Sequence, residues 1–186
     1  MSKTESLMLP LGTSAPHFSL PDVISNQIVQ YPSFDSSKAT VLCFICNHCP
    51  YVKRINAQLV AVAKKYLTKG VRFLAISAND VSSYPDDSPA HMREVALIEN
   101  YPFPYLYDET QDVAKAYRAA CTPDFFVFNE MHQLVYRGQF DDSRPANDIP
   151  VTGDSICKAL DCLINNIEID FTQKPSLGCN IKWKES

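Results

Sequence analysis

The segment between residues 40 and 77 encodes a strand, a helix and a second strand in direct succession. Residues 40–45 (TVLCFI) carry no charge, which is typical of a central strand covered on both faces. Residues 49–69 are predicted to form a helix, because their apolar side chains recur at intervals of three and four. Residues 71–77 (VRFLAIS) form the next strand. This unit implies a parallel strand pair with a right-handed crossover, so the chain is predicted to fold as an α/β protein.

The first strand–helix junction carries two cysteines, Cys46 and Cys49, in the pentapeptide CNHCP. The helix that follows offers unpaired N–H groups and a partial positive charge, which stabilise a thiolate, the reactive form of cysteine. Cys43 and Cys46 have the same spacing, but on an extended strand they lie roughly 10 Å apart. A disulfide requires Cα atoms within about 7 Å. We therefore predict Cys46 and Cys49 to be the redox pair and Cys43 to be a buried strand residue.

The composition is that of an ordinary globular protein. With 186 residues, 46% of them hydrophobic and 20% charged, the chain 1–186 is predicted to form a single domain. The net charge of −4 gives no reason to expect nucleic acid or an anionic membrane as partner. Residues 1–10 lack the apolar core of a signal peptide, so a cytoplasmic location is expected. Seven scattered cysteines do not resemble a disulfide framework, so most are expected to be free thiols.

The remaining segments predict a mixed central β-sheet flanked by helices on both faces, with an N-terminal hairpin and an extended C-terminal tail. The hairpin falls within residues 10–35, and a second, antiparallel hairpin is expected from two strands around a polar turn. The further predicted elements are helices at 91–99, 111–119 and 152–165, strands at 105–107, 124–129 and 133–139, and a tail at 167–186.

This order, with CNHCP at the first junction and Thr122-Pro123 before the second hairpin, resembles the thioredoxin superfamily. It is most similar to the redoxin branch related to alkyl hydroperoxide reductase and thiol-specific antioxidant proteins, in the peroxiredoxin-like group that carries CxxC. The further matching stretches are residues 11–21 (LGTSAPHFSLP), 84–89 (YPDDSP), 140–145 (FDDSRP) and 178–184 (GCNIKWK). The resemblance implies a thioredoxin-like fold, Cys46 as the attacking cysteine, Cys49 as the resolving cysteine, and a cis peptide at Thr122-Pro123 beside them.

The chain also departs from both kinds of relative. No carboxylate lies within residues 40–45, where thioredoxin-like proteins often bury an acid, so proton transfer at Cys49 has no assigned group. Peroxiredoxins place a threonine three residues before their cysteine and a proline seven before it; here Cys43 and Ala39 occupy those positions. The sequence therefore favours a thiol–disulfide oxidoreductase with a redox-active Cys46–Cys49 disulfide. The alternative is an antioxidant thiol peroxidase with Cys46 peroxidatic and Cys49 resolving.

Three residues are predicted to assist. The His48 imidazole is expected to stabilise the Cys46 thiolate and, with the helix N-terminus, to lower the Cys46 pKa. A cis bond between Thr122 and Pro123 is expected to turn the Thr122 backbone toward the CxxC motif and leave it free to pair with an extended substrate. The expected partners are a protein or small-molecule disulfide and an external dithiol reductant, with no metal or organic cofactor. A copper-binding module that uses Cys46, Cys49 and a distant histidine is a third hypothesis.

The C-terminal tail supplies one more candidate. Ile181 and Trp183 alternate with Lys182 and Lys184, as in an edge strand or a docked extended segment. Because a tryptophan seldom sits in a mobile tail, we expect the tail to pack on the domain. If it packs over the catalytic face, Cys179 is a candidate third redox thiol; the alternative is an inert buried cysteine that anchors the tail.

Overall fold

A five-stranded mixed sheet forms the centre of the protein. The structure is a computed structural model, and it describes residues 3–33 and 36–185. The strands are β1 (Lys3–Glu5), β2 (Phe18–Pro21), β3 (Ile28–Tyr31), β4 (Ala39–Phe44), β5 (Val71–Ser77), β6 (Tyr105–Tyr107), β7 (Cys121–Thr122), β8 (Asp124–Asn129), β9 (Leu134–Gly138) and β10 (Leu177–Asn180). The helices are α1 (Pro50–Leu67), α2 (Pro89–Ile98), α3 (Asp112–Ala116) and α4 (Asp154–Ile164), with a 3₁₀ turn at Pro85–Asp87.

The central sheet has the order β6-β5-β4-β8-β9. Strand β4 pairs in parallel with β5 and antiparallel with β8, and all of its residues are buried. The uncharged run at residues 40–45 therefore forms a central strand, as predicted. The hairpin β2–β3 is also as predicted, although residues 34 and 35 of its expected range lie outside the described residues.

Helices cover both faces of this sheet, and each face has its own core. One core receives the apolar sides of α1, α2 and α4, through residues such as Leu59, Met92 and Leu160. The other is closed by α3 and the β2–β3 hairpin, through residues such as Phe18 and Ala114. The predicted thioredoxin-like α/β architecture is thus confirmed. None of the described helices has the length and apolar character needed to cross a bilayer.

All four predicted helices differ by a few residues from their bounds in the structure, and two of these differences have a clear physical cause. Helix α3 is shorter than residues 111–119, because Gln111 and Arg118 adopt left-handed backbone conformations with φ of 65° and 52°. Helix α1 begins at Pro50, and Cys49 is its N-cap residue in an extended conformation. Proline suits this first helical position because it has no N–H to leave unpaired.

The C-terminal tail forms the middle strand of a second sheet, with the order β1-β10-β7. The expectation that the tail packs on the domain is confirmed, but the reason given for it is wrong. Trp183 is 42% exposed, whereas Cys179 and Ile181 are buried. Residues 3–5, which no sequence pattern marked as a strand, cover the outer edge of the tail as β1.

Candidate active site

The junction between β4 and α1 holds both cysteines of the CxxC motif below the surface. The backbone N–H of Ile45 still donates to Ile76 at 2.9 Å, so Cys46 follows directly on the end of the sheet ladder. Cys49, as the N-cap, accepts the first helical hydrogen bond through its carbonyl from the N–H of Lys53 at 3.0 Å. Cys46 is 2% exposed and Cys49 0% exposed. The two thiols are therefore held by rigid elements and shielded from solvent.

Thr122, at the end of β7, contacts both sulfur atoms. Its hydroxyl oxygen lies 3.3 Å from Cys46 Sγ, and its carbonyl oxygen lies 3.0 Å from Cys49 Sγ. The Thr122–Pro123 peptide is cis, as the resemblance implied. The fold thus brings Cys46, Cys49, Thr122 and Pro123 together, although more than seventy residues separate the two pairs in the sequence.

Cys179 completes the thiol cluster. Its Sγ lies 3.1 Å from Cys49 Sγ, and in the β10–β7 ladder Cys179 is directly opposite Thr122. The expectation that the Thr122 backbone is free to pair with an extended substrate is therefore wrong for this structure. The protein's own tail occupies that edge of β7.

The protonation of the cluster differs from the prediction for Cys46. The pKa of Cys46 is raised, because its thiol donates toward Cys49, its sulfur is buried, and the Asp87 carboxylate is near. The same contact from Cys46 lowers the pKa of Cys49 to about 5, with further contributions from the Cys179 thiol and the Val52 amide. Burial raises the pKa of Cys179 to about 12. The Cys49 thiol, when protonated, donates to the Thr122 carbonyl at 3.0 Å.

A buried carboxylate that the sequence analysis did not assign, Asp87, holds the CxxC loop. Its Oδ1 accepts the backbone N–H of Asn47 at 2.8 Å, and its Oδ2 lies 2.5 Å from Nδ1 of His48. Asp87 thus binds both the backbone of the CxxC loop and the His48 imidazole. The Nε2 atom of His48 has no hydrogen-bond partner among the described residues, and its ring stacks on Tyr84. The only sequence signal for Asp87 was the matching stretch YPDDSP.

Asn79 joins this loop to the C-terminal tail. Its amide nitrogen donates to Asp87 Oδ2 at 2.8 Å, and its amide oxygen accepts the backbone N–H of Lys182 at 2.8 Å. Lys182 also places its ammonium 5.5 Å from the centre of the Tyr84 ring. The segment that carries Cys179 is therefore anchored to the same buried carboxylate that positions the CxxC loop.

A second buried acid, Asp124, follows Pro123 at the start of β8. It stands opposite Phe44 in the sheet, one strand away from residues 40–45, which contain no carboxylate. Burial raises the pKa of Asp124 to about 8. Its Oδ2 accepts the N–H of Ala120 at 3.4 Å, so it ties β8 to the segment that leads into Thr122. Side-chain burial across strands cannot be read from local sequence, which is why this acid was not predicted.

Cys46, His48 and Asp87 offer potential metal-ligand atoms that all lie within 4.8 Å of one another. This differs from the copper-binding hypothesis, which called for a distant histidine. Each of the three side chains already has a protein partner, since Cys46 contacts Thr122 and the His48 ring contacts Asp87. The arrangement is explained by hydrogen bonding alone, so we assign no metal to it.

Comparisons with known proteins place this geometry in a family. A family model described as AhpC/TSA matches residues 11–137. An uncharacterized conserved protein from Geobacillus kaustophilus is 56% identical, with a TM-score of 0.98 over 100% of this chain and 98% of that one. A hypothetical protein from Sinorhizobium meliloti 1021 is 41% identical, with a TM-score of 0.95 over 98% of this chain and 100% of that one.

A more distant structure shares the fold alone. The thioredoxin domain of a thiol-disulfide oxidoreductase from Bacteroides vulgatus is 15% identical, with a TM-score of 0.62 over 82% of this chain and 99% of that domain. No protein with a curated description matches the chain. Because the family model spans more than half of the sequence, the chain belongs to the AhpC/TSA family.

Proposed function

We propose that this protein is a thiol–disulfide oxidoreductase that uses Cys46 and Cys49 as a redox-active disulfide. Membership of the AhpC/TSA family supports an oxidoreductase in general. The observation that carries the proposal is the convergence of both sulfurs on Thr122, next to the cis Pro123, at 3.3 and 3.0 Å. Two thiols held this close to one backbone segment are poised to form a disulfide by a small movement.

Cys46 attacks the substrate disulfide and forms a mixed disulfide, while the first substrate sulfur leaves as a thiolate. The proton of Cys46 passes to Cys49, which is the more acidic thiol of the pair. Cys49 then attacks Cys46 Sγ and its proton leaves with the second substrate sulfur as a thiol. The substrate is reduced by two electrons, the Cys46–Cys49 bond is formed, and an external dithiol reductant restores both thiols.

The position of β10 favours a small disulfide over an extended polypeptide as substrate. Polypeptide substrates of such sites add a strand to the free edge beside the cis-proline, and here Cys179 and Asn180 already pair with that edge. A small disulfide needs access only to the Cys46 sulfur, whereas a protein disulfide requires the tail to leave. We place this activity in the cytoplasm, where a dithiol reductant is present.

A thiol peroxidase is the second candidate, because of one specific contact. Although Cys43 replaces the threonine of the peroxiredoxin motif, Thr122 supplies a hydroxyl 3.3 Å from Cys46 Sγ from another part of the chain. The Cys46 thiolate would attack hydrogen peroxide, release hydroxide and become a sulfenic acid. Cys49 would then form the disulfide and release water.

Steady-state rates with two oxidants test the ranking. Dithiothreitol serves as reductant, and glutathione disulfide or hydrogen peroxide serves as oxidant, for the wild type and for Cys46→Ser. We expect the disulfide to be reduced in a Cys46-dependent manner and peroxide to be consumed more slowly. Faster, saturable peroxide consumption that depends on Cys46 would reverse the order of the two candidates.

A further inference from the structure

We propose that Cys179 is a third redox thiol, which takes over the disulfide from Cys46–Cys49 and forms a Cys49–Cys179 bond. This inference rests on the proposed function of the CxxC pair and extends it to the C-terminal strand. Cys49 is the central member of the cluster, since it has Cys46 on one side and the Cys179 sulfur at 3.1 Å on the other. Cys49 is therefore placed to form a disulfide with either neighbour.

The strand that carries Cys179 is built for close approach to the site. Residue 178 is a glycine, and a Cβ at this position would lie 2.0 Å from the Thr122 carbonyl oxygen. Any larger residue would push β10 away from β7, and Cys179 away from Cys49. A close backbone approach is one of the few reasons that require glycine in a strand.

Both sides of β10 are held in place. On the outer edge, Lys3 of β1 pairs with Cys179, and on the inner edge Thr122 of β7 does so. Beyond β10, the Lys182 ammonium donates to the carbonyl and the side-chain oxygen of Asn180 at 2.8 Å each. An anchored segment needs little conformational ordering to bring its thiol to Cys49, which favours exchange within the chain over exchange with solution thiols.

The transfer step is balanced without any further reactant. The Cys179 sulfur attacks Cys49 Sγ, the Cys49–Cys179 bond forms, and the Cys46–Cys49 bond breaks. Cys46 is the leaving group and takes up the proton that Cys179 loses, so no net proton or electron enters or leaves the protein. The substrate disulfide is the oxidant throughout. After the transfer, Cys46 is again a free thiol, and the oxidising equivalent is stored in a buried bond.

The surroundings of Cys179 set the expected speed of this transfer. Burial raises the pKa of Cys179, so its thiolate is scarce at neutral pH. The attack of a thiol through its thiolate becomes faster as the pH rises toward the thiol pKa. Closure of Cys46–Cys49 should therefore come first, and transfer to Cys179 should follow in a slower step that accelerates with pH.

Disulfide mapping on quenched samples tests the transfer. Reduced protein is mixed with one equivalent of glutathione disulfide, quenched with acid at successive times, labelled with N-ethylmaleimide and analysed by peptide mass spectrometry. In the wild type, we expect Cys46–Cys49 at early times and Cys49–Cys179 with labelled Cys46 at late times. In Cys179→Ser, Cys46 should remain in its disulfide with Cys49 and stay unlabelled at late times. The matched control is Cys121→Ser, which alters another buried thiol of the same ladder and should behave as the wild type.

A second arm separates the failure of this inference from the failure of the proposed function. In Cys46→Ser, mild oxidation with diamide should still link Cys49 to Cys179, whatever the activity of the CxxC pair. The proposed function itself is read from Cys49→Ser, in which a glutathione adduct should accumulate on Cys46. Absence of a Cys49–Cys179 bond in the oxidised wild type would overturn the transfer, even if the bond forms in Cys46→Ser and the adduct forms in Cys49→Ser.

Discussion

The CxxC junction at residues 46–50 and strand β10 contribute thiols to one cluster, but their positions have different physical origins. The junction is local: an apolar strand ends, a proline starts a helix, and the two cysteines between them are held by backbone that their neighbours define. Strand β10 is positioned by partners far away in the sequence, Lys3–Glu5 on one edge and Cys121–Thr122 on the other. A motif can therefore place the first two thiols together, whereas only the assembled fold brings the third candidate, Cys179, into contact with them.

The two regions also treat their thiols differently. The junction, with Cys46 donating toward Cys49, lowers the pKa of Cys49 to about 5, whereas the buried middle strand raises the pKa of Cys179 to about 12. The thiol with the lowered pKa thus lies between two thiols whose pKa values are raised. Thiols from both regions lie close together, but the reactivity of each thiol is set by its burial and by the hydrogen-bond donors around its sulfur.

The largest effect is expected from a substitution in the CxxC junction itself. Cys46→Ser should lower disulfide reduction by roughly three orders of magnitude or more, because the attacking sulfur is lost. Steady-state turnover of glutathione disulfide with dithiothreitol measures this. Cys43→Ser is the control, since it disrupts the rival pair Cys43–Cys46 while leaving the proposed pair intact. Comparable losses in the two variants would contradict the choice of Cys46 and Cys49.

Asp124 lies at the start of β8, directly after β7, the strand that pairs with the tail. Its protonation should make the free energy of unfolding depend on pH. Its folded pKa of about 8 is above the value of 3.8 for an ordinary aspartate. The stability that it contributes is therefore complete below about pH 4 and is lost as the pH rises toward 8, at up to about 1.4 kcal/mol per pH unit. Asp124→Asn should remove much of this decline, a difference of up to several kcal/mol.

Urea unfolding between mildly acidic and mildly alkaline pH measures this effect. The control is Asp161→Asn, whose side chain is 48% exposed and which should retain the decline of the wild type. A decline of the same size in Asp124→Asn would show that the acid is not protonated in the folded protein.

Gly178→Ala should separate the two regions. The added Cβ meets the Thr122 carbonyl, so β10 has to shift, at a cost of about 1–3 kcal/mol in the free energy of unfolding. Cys46 should then be alkylated faster, and the Cys49–Cys179 bond should form less readily. Gly12→Ala is the matched control, since it strains a glycine at φ +80° that has nothing within 4 Å of its added Cβ. Equal alkylation rates in the two variants would mean that β10 does not shield the thiols.

The smallest expected effect concerns the carboxylate that links the regions. Removing the charge of Asp87 should lower the raised pKa of Cys46, because a nearby negative charge disfavours the thiolate, although Cys49 and burial contribute more. Asp87→Asn should therefore move the pH profile of Cys46 alkylation to lower pH, and His48→Ala should move it to higher pH. Asp86→Asn, an exposed neighbour, is the control. Shifts of the same sign in Asp87→Asn and His48→Ala would contradict the opposite effects on the Cys46 pKa that are assigned to these two side chains.

The sequence by itself determined the elements of the central sheet. The apolar run at 40–45, the periodic helix after it and the strand at Val71–Ser77 are encoded by local patterns, and they appear as β4, α1 and β5. The same local signals located Cys46 and Cys49, because the turn between a buried strand and a helix is specified within a few residues. The matching segment around Thr122 and Pro123 was found through the family resemblance, and the structure brings it to these cysteines.

Only the tertiary structure decided what surrounds those sulfurs. The pairing of β10 with β7, the contact of Cys49 with Cys179 and the burial of Asp87 and Asp124 all join residues that are distant in sequence. Hydrogen-bond partners across strands depend on register, and a pKa depends on every charge and donor within a few ångströms, whatever its position in the chain. This is why the motif located the two candidate thiols, whereas the direction of the Cys46 pKa shift differs from the prediction.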